Sequence, residues 1–335
     1  MPLTVNPLPS MNTSQTRWGI LATGGIARKM GDALNDSEFA HIQAVASRNA
    51  DKARAFATEF DIPSAYGSYE ELLNDPAVEV VYIATPHPMH KQWIIAALQA
   101  GKHVLCEKPL TMNAQQTEDC ILLARQKGLF LMEALWSRFF PLMDKVRELL
   151  AREILGELRY LQADFTAYRA FEAGHRLFAQ ELGGGALLDL GIYPISIACH
   201  FLGLPDQIHA QAQMAPTGVD NMNTVILEYT DGKRAVLNSG FLASKPCECF
   251  VVGEKGYLKI HHFFHQPHTF TLHLNGQKPA DFHLPYQGNG LIYETEEVHR
   301  CLKSGLTESP LMPLEESLAI AEIMDLALQR VKGEG

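Results

Sequence analysis

The chain has 335 residues, 47% of them hydrophobic and 20% charged, which excludes disorder, collagen and low-complexity sequence and suggests about two globular domains. Its 28 basic and 38 acidic side chains leave a net charge of −10, so nucleic acid is not expected as a partner. Six scattered cysteines without a C-x-x-C pair speak against a disulfide framework or a zinc ribbon, and for a cytoplasmic setting.

Residues 1–16 carry three prolines and no charge. They lack the basic start and apolar core of a secretory signal and read as a loose leader, with Met11 an alternative start. The next stretch alternates strand and helix patterns. Strands are expected at 17–22, 41–47, 78–84, 103–107 and 129–133, and helices at 24–34, 48–60, 88–100 and 113–127. Gly101 and Gly128 stand where left-handed helix C-caps belong. Such a β-α-β rhythm requires a parallel sheet covered by helices, here a doubly wound Rossmann domain over 17–134.

After residue 134 the rhythm changes. A helix at 141–152 and a long strand at 157–168 precede an apolar helix at 186–202. That helix contains Asp189, Pro194 and His200 and reads as buried, so no membrane partner is expected. Strand-like runs then follow one another, with Asp231-Gly232 and Asn275-Gly276 as hairpin signals, and helices at 293–303 and 314–331 close the chain. An α+β domain over 135–335 with a mostly antiparallel sheet follows. Its runs 224–229 and 235–241 are apolar, and the buried helix covers only one face, so a homodimer through this sheet is expected.

The first strand runs into Ala22-Thr23-Gly24-Gly25-Ile26-Ala27, a dinucleotide fingerprint with alanine in place of the first glycine. Gly24 lets backbone approach a pyrophosphate, and the following helix N-terminus offers free N–H groups. The second strand ends at Ser47-Arg48, with Lys52 one turn on. An NAD enzyme places an acid there for the ribose hydroxyls; a guanidinium instead suits a 2′-phosphate, so NADP is expected rather than NAD. Two further strand ends carry Thr85-Pro86-His87 and Glu107-Lys108-Pro109, at the edge where open α/β sheets bind ligands. Farther on, Gly183-Gly184-Gly185 leads to Asp189 and Tyr193, four apart and so on one helical face.

Together these motifs resemble the Gfo/Idh/MocA oxidoreductases, over nearly the whole chain. The run 132–141, with Trp136 and Arg138, and the segment 308–313 are similar to the branch holding dimeric dihydrodiol dehydrogenases and NADP-dependent D-xylose dehydrogenases. The resemblance implies an open C-terminal sheet, Lys108 as catalytic lysine and Tyr193 as acid/base. It further implies that Asp189 orients the substrate, that Trp136 walls its pocket, with Arg138 counted beside it, and that Arg48 meets the 2′-phosphate.

The chemistry is then hydride transfer between nicotinamide and a secondary alcohol or carbonyl of a sugar or cyclic diol. An inositol or amino sugar is the alternative substrate, and a non-catalytic dinucleotide sensor the rival from another class. Oxidation needs a base; an ammonium beside a phenol favours phenolate, so Lys108 is expected to bring the Tyr193 midpoint well below 10. Four histidines crowd 261–268 (His261, His262, His265, His268), but no cysteine or carboxylate joins them at ligand spacing, and no metal is expected.

Overall fold

The computed structural model describes residues 15–332. Met11 and all of the expected leader except Gln15 and Thr16 lie outside the described residues, and Thr16 already opens the first strand.

The first sheet contains β1 (Thr16–Leu21), β2 (Ala40–Ala46), β3 (Ser64–Tyr66), β4 (Val80–Ile83), β5 (His103–Glu107) and β6 (Leu131–Ala134). All its pairings are parallel, in the order β3-β2-β1-β4-β5-β6. The connecting helices are α1 (Gly25–Asp36), α2 (Ala50–Phe60), α3 (Tyr69–Leu73), α4 (His90–Gln99) and α5 (Ala114–Lys127). The central strands are apolar on both faces, as β4 shows with Val80, Val81, Tyr82 and Ile83 all buried, because helices cover both sides. The short β3 and α3 escaped the periodicity reading, being three and five residues long. Their signal is instead the capping box in which Ser68 and Glu71 satisfy each other's backbone N–H.

The second half contributes α6 (Pro141–Ala151), β7 (Leu158–Thr166), α7 (Ile192–Leu202), β8 (Gln207–Met214), β9 (Asp220–Glu228) and β10 (Arg234–Gly240). It continues with β11 (Cys249–Gly253), β12 (Gly256–Ile260), β13 (Thr269–Leu274), β14 (Ala280–His283), α8 (Ile292–Lys303) and α9 (Leu314–Lys332). The strands form an eight-stranded sheet, β14-β13-β12-β11-β7-β10-β9-β8, antiparallel except for the β7–β10 pair. Asp231-Gly232 turns β9 into β10, and Asn275-Gly276 begins the turn from β13 to β14. The two closing helices return to the first sheet: α8 packs on α1, and α9 touches α5 and β6 as well as α7 and β8. They tie the two sheets together.

The apolar stretch around 186–202 is the one among the described residues that is long and apolar enough to cross a membrane, and it is buried inside the fold. It is not a uniform α-helix. Leu187–Gly191 forms a π-helical turn before α7. Pro194 supplies the cause: it has no N–H for the Leu190 carbonyl, so the regular α ladder breaks one turn upstream.

Ala22, the residue just after β1, has φ +88°, a region unfavourable for a residue with a Cβ. Glycine at this position removes a strain of about 1–2 kcal/mol but loosens the unfolded chain by about 0.4–1 kcal/mol. Ala22→Gly should therefore raise stability by up to about 1.5 kcal/mol in urea unfolding. A clear loss of stability would show that the turn is not strained.

Candidate active site

The carboxyl ends of β1, β2, β4 and β5 face the second sheet across a cavity of about 930 Å³. Its floor on one side is the β1–α1 turn. No atom lies within 4 Å of where a Cβ would stand on Gly24 or Gly25, so this stretch of backbone is open to a ligand. Helix α1 has no side-chain N-cap and no acid in its first turn. Its free N–H groups and positive dipole end suit a pyrophosphate. Thr23 and Ile26 line the same turn.

At the end of β2, Ser47, Arg48 and Lys52 line the cavity's far end. Tyr69 of α3 joins them, unforeseen from sequence. Burial raises the Tyr69 pKa, and the Arg48 guanidinium against its hydroxyl partly offsets that rise. Arginine, lysine, serine and phenol together present donors and positive charge and no carboxylate, which fits a phosphate on the ribose. Arg28 also lines the cavity but is occupied, paired with Glu59 and lying 5.4 Å from the Phe56 ring centre.

The strand ends 85–87 and 107–108 form the middle of the cavity. The His90 ring bridges the carbonyl oxygens of Thr85 and Pro109, each at 2.8 Å, and so fastens the two loops to each other. Tyr82 donates to Glu107 at 2.5 Å. Lys108 precedes a cis peptide to Pro109 and projects toward the second sheet. Its ammonium donates to the Asp189 backbone oxygen at 2.7 Å and to Asp189 Oδ1 at 3.4 Å. Arg176, exposed on the opposite side, donates to the same Oδ1 at 3.1 Å.

These contacts set the charge states. Burial alone would raise the Asp189 pKa, but Lys108 and then Arg176 outweigh it and hold the carboxyl well below the usual range. Burial likewise pulls Lys108 down, but the neighbouring acids, Asp189 foremost, reverse it and leave the ammonium more basic than usual. Both are ionised at neutral pH.

Tyr193 follows a different balance. The Trp136 indole N–H donates to its hydroxyl oxygen at 3.0 Å, and Lys108 Nζ lies 5.1 Å from the ring centre. Burial pushes its pKa up to about 12, and the downward pull of Lys108 and Trp136 does not cancel it. The expected midpoint well below 10 is therefore corrected: the ammonium lies over the ring rather than at the oxygen, and desolvation wins. Tyr193 is a neutral phenol whose own proton has no acceptor among the described residues. Trp136 is more than a wall, since it fixes that oxygen.

Arg138 does not line the cavity, contrary to expectation. Its buried guanidinium grips Glu316 in a two-point pair (2.6 and 3.1 Å) and also bonds Ser196. It fastens α9 to α7. Residues that the sequence did not flag for this role line the cavity, among them Phe165 at the end of β7, Arg176, and His265 from the histidine cluster. Phe165 and Arg176 carry no local motif, whereas the histidine lay in plain view among residues weighed only as metal ligands.

The matches to known proteins agree with this geometry. Residues 16–135 match the Gfo/Idh/MocA oxidoreductase family model with an NAD-binding Rossmann fold, and residues 143–259 match the Gfo/Idh/MocA C-terminal domain. A trans-1,2-dihydrobenzene-1,2-diol dehydrogenase of Xenopus laevis is 40% identical over 333 residues, covering 94% of this chain and 98% of its own. That of Mus musculus is also 40% identical, with 94% and 96% covered. A 3-ketoreductase from Actinomadura kijaniata, crystallised with NADP and TDP-benzene, superposes with TM-score 0.84 at 29% identity, covering 96% of this chain and 98% of its own.

Replacing Arg138 by methionine keeps most of the volume but strands Glu316. Arg138→Met should cost about 3–5 kcal/mol of stability while leaving dinucleotide affinity unchanged in the folded fraction. Unfolding curves and cofactor titration check this. A variant as stable as wild type that has lost only turnover would return Arg138 to the substrate.

Proposed function

The chain belongs to the Gfo/Idh/MocA oxidoreductase family, and from that premise we propose that it is an NADP-dependent dehydrogenase acting on a secondary alcohol or carbonyl of a sugar or cyclic diol. One observation carries the reading: a phosphate-binding turn and the Lys108–Asp189–Tyr193 group line a single cavity at the carboxyl edge of the parallel sheet. The dihydrodiol dehydrogenase relatives support the alcohol, and the ketoreductase neighbour with NADP supports the cofactor. Inositols and amino sugars are the second substrate class to screen.

When bound, NADP supplies or takes the hydride. The chain's own residues do the rest. Gly24, Gly25 and the α1 N-terminus would hold its pyrophosphate, and Ser47, Arg48, Lys52 and Tyr69 would hold its 2′-phosphate. Tyr193 gives its proton to the substrate oxygen in reduction and recovers it in oxidation. Trp136 aims the phenol, and the Lys108 ammonium stabilises the phenolate left behind. Asp189, held by Lys108 and Arg176, offers carboxylate acceptors to a neighbouring substrate hydroxyl. We also propose a homodimer through the outer face of the eight-stranded sheet, where Ile226 and Val236 stand side by side, each only partly buried. A sedimentation mass of one chain at micromolar concentration would refute it.

Arg48→Ala should weaken NADP about tenfold, the worth of roughly one charge-assisted contact, with NAD binding little changed. Equal losses for both cofactors would remove the 2′-phosphate from Arg48.

A phenol with its pKa raised keeps its proton below that pKa, so the acid form rules at neutral pH. Reduction should be flat from about pH 6 to 9, whereas oxidation should climb about tenfold per pH unit without a plateau below about pH 10. Tyr193→Phe should cut turnover about 10²–10⁴-fold in both directions with little change in NADP affinity. Rate–pH profiles on the best screened substrate decide it. An oxidation plateau near neutrality, or near-normal turnover by the phenylalanine variant, would overturn the mechanism. NADP bound tightly with no substrate turned over would instead favour a sensor.

A further inference from the structure

The histidines of 261–268 go separate ways. His261 Nε2 pairs with Thr271 Oγ1 and His262 Nδ1 with the Pro246 carbonyl, both at 2.7 Å. His268 lies edge-on to His283 and Tyr286. His265 alone turns inward. It is 7% exposed and lines the catalytic cavity. Its ring lies flat on Phe165, with centres 4.2 Å apart and planes 15° from parallel. The Tyr193 ring is 5.4 Å away and the Trp136 ring 6.3 Å away.

The ring nitrogens are unequal. Nδ1 is sealed from solvent and has no partner among the described residues. Nε2 makes no hydrogen bond within the described chain either, yet it is not sealed, so its open side is the cavity that the ring lines. Burial, reinforced by the Lys108 charge, lowers the pKa to about 3 and keeps the imidazole neutral. One nitrogen must then carry the hydrogen. Placed on Nδ1, it would be a buried donor without an acceptor; placed on Nε2, it leaves only a lone pair unsatisfied, the less costly defect. His265 thus offers an N–H to the cavity and asks for an oxygen in return.

Tyr193 already serves the oxygen at the reacting carbon. Phe165, Trp136 and the imidazole itself form flat apolar walls around that point, suited to the faces of a six-membered ring. We infer that His265 is a specificity-determining residue whose Nε2–H donates to a second substrate oxygen, on the carbon next to the one that exchanges hydride, so that the cavity selects cyclic vicinal diols over mono-alcohols of equal size. The inference rests on the proposed dehydrogenase activity and adds the feature of the substrate that this activity requires.

The test compares trans-cyclohexane-1,2-diol with trans-2-methylcyclohexanol, in which a methyl group of similar size replaces the second hydroxyl. For the wild-type enzyme with NADP, kcat/KM should favour the diol about 10–100-fold, because the methyl group leaves the N–H unpaired. His265→Phe keeps a flat wall without the donor; the preference should fall about tenfold through loss on the diol alone, leaving only the share that the Asp189 carboxylate reads. His265→Gln, whose amide restores a donor, should recover part of it. NADP titration of each variant verifies folding. A wild-type ratio near one, or a phenylalanine variant that lowers both substrates equally, would overturn the inference and leave His265 a wall. Turnover of neither compound, nor of any other alcohol, by wild type would instead bring down the dehydrogenase reading, and this inference with it.

Discussion

The contact between the Lys108 ammonium and Asp189, to its backbone oxygen and its carboxylate together, is the constraint on which the site depends. It joins the end of β5 in the parallel sheet to the π-helical turn packed on the antiparallel one. Both side chains are nearly buried, at 13% and 11% exposure, so neither ion is tolerable there without the other. Each holds the other charged, and together they fix the backbone of the turn that leads to Tyr193. Asp220 anchors the same turn from the sheet side, accepting the Leu187 N–H at 2.7 Å. The Tyr193 phenol is therefore positioned by two sheets rather than by one loop.

That arrangement explains why Tyr193 keeps its proton. A phenol placed close to an ammonium could become a phenolate, but only if water or donors also solvate the oxygen. Here one indole N–H reaches it, and the positive charge lies over the ring face. The low-dielectric surroundings that sharpen every other interaction in the cavity thus keep the proton on oxygen. The same burial holds the His265 imidazole neutral, whereas the Asp189 carboxylate stays ionised against it because Lys108 and Arg176 lie beside it.

Much of this was legible in the sequence because it is local. Gly24, Arg48 and the Glu107-Lys108-Pro109 strand end each combine residue type with a predictable place at the edge of a parallel sheet, and the hairpin turns were marked by Asp-Gly and Asn-Gly. What escaped depends on burial and on contacts between distant segments. Arg138 stands two residues from Trp136, yet its guanidinium meets Glu316, a partner that no local pattern announces. The Tyr193 pKa was misread because a sequence names a neighbour but not its position relative to the oxygen. Asp189 and Tyr193 do share the cavity, but through a π turn that Pro194 imposes rather than through a regular helix. His265 was seen and not understood, since only the fold separates it from the histidines beside it.

The central claim, that the Lys108–Asp189 pair holds a protonated Tyr193 poised as an acid, can be observed without any substrate. In ligand-free protein labelled with [13C]tyrosine at Cζ, the Tyr193 resonance, identified by its absence in Tyr193→Phe, is followed from about pH 7 to about pH 11. The account predicts a phenol signal that persists beyond about pH 10, consistent with a pKa pushed up to about 12. A shift to the phenolate position with a midpoint below about pH 9 would contradict it.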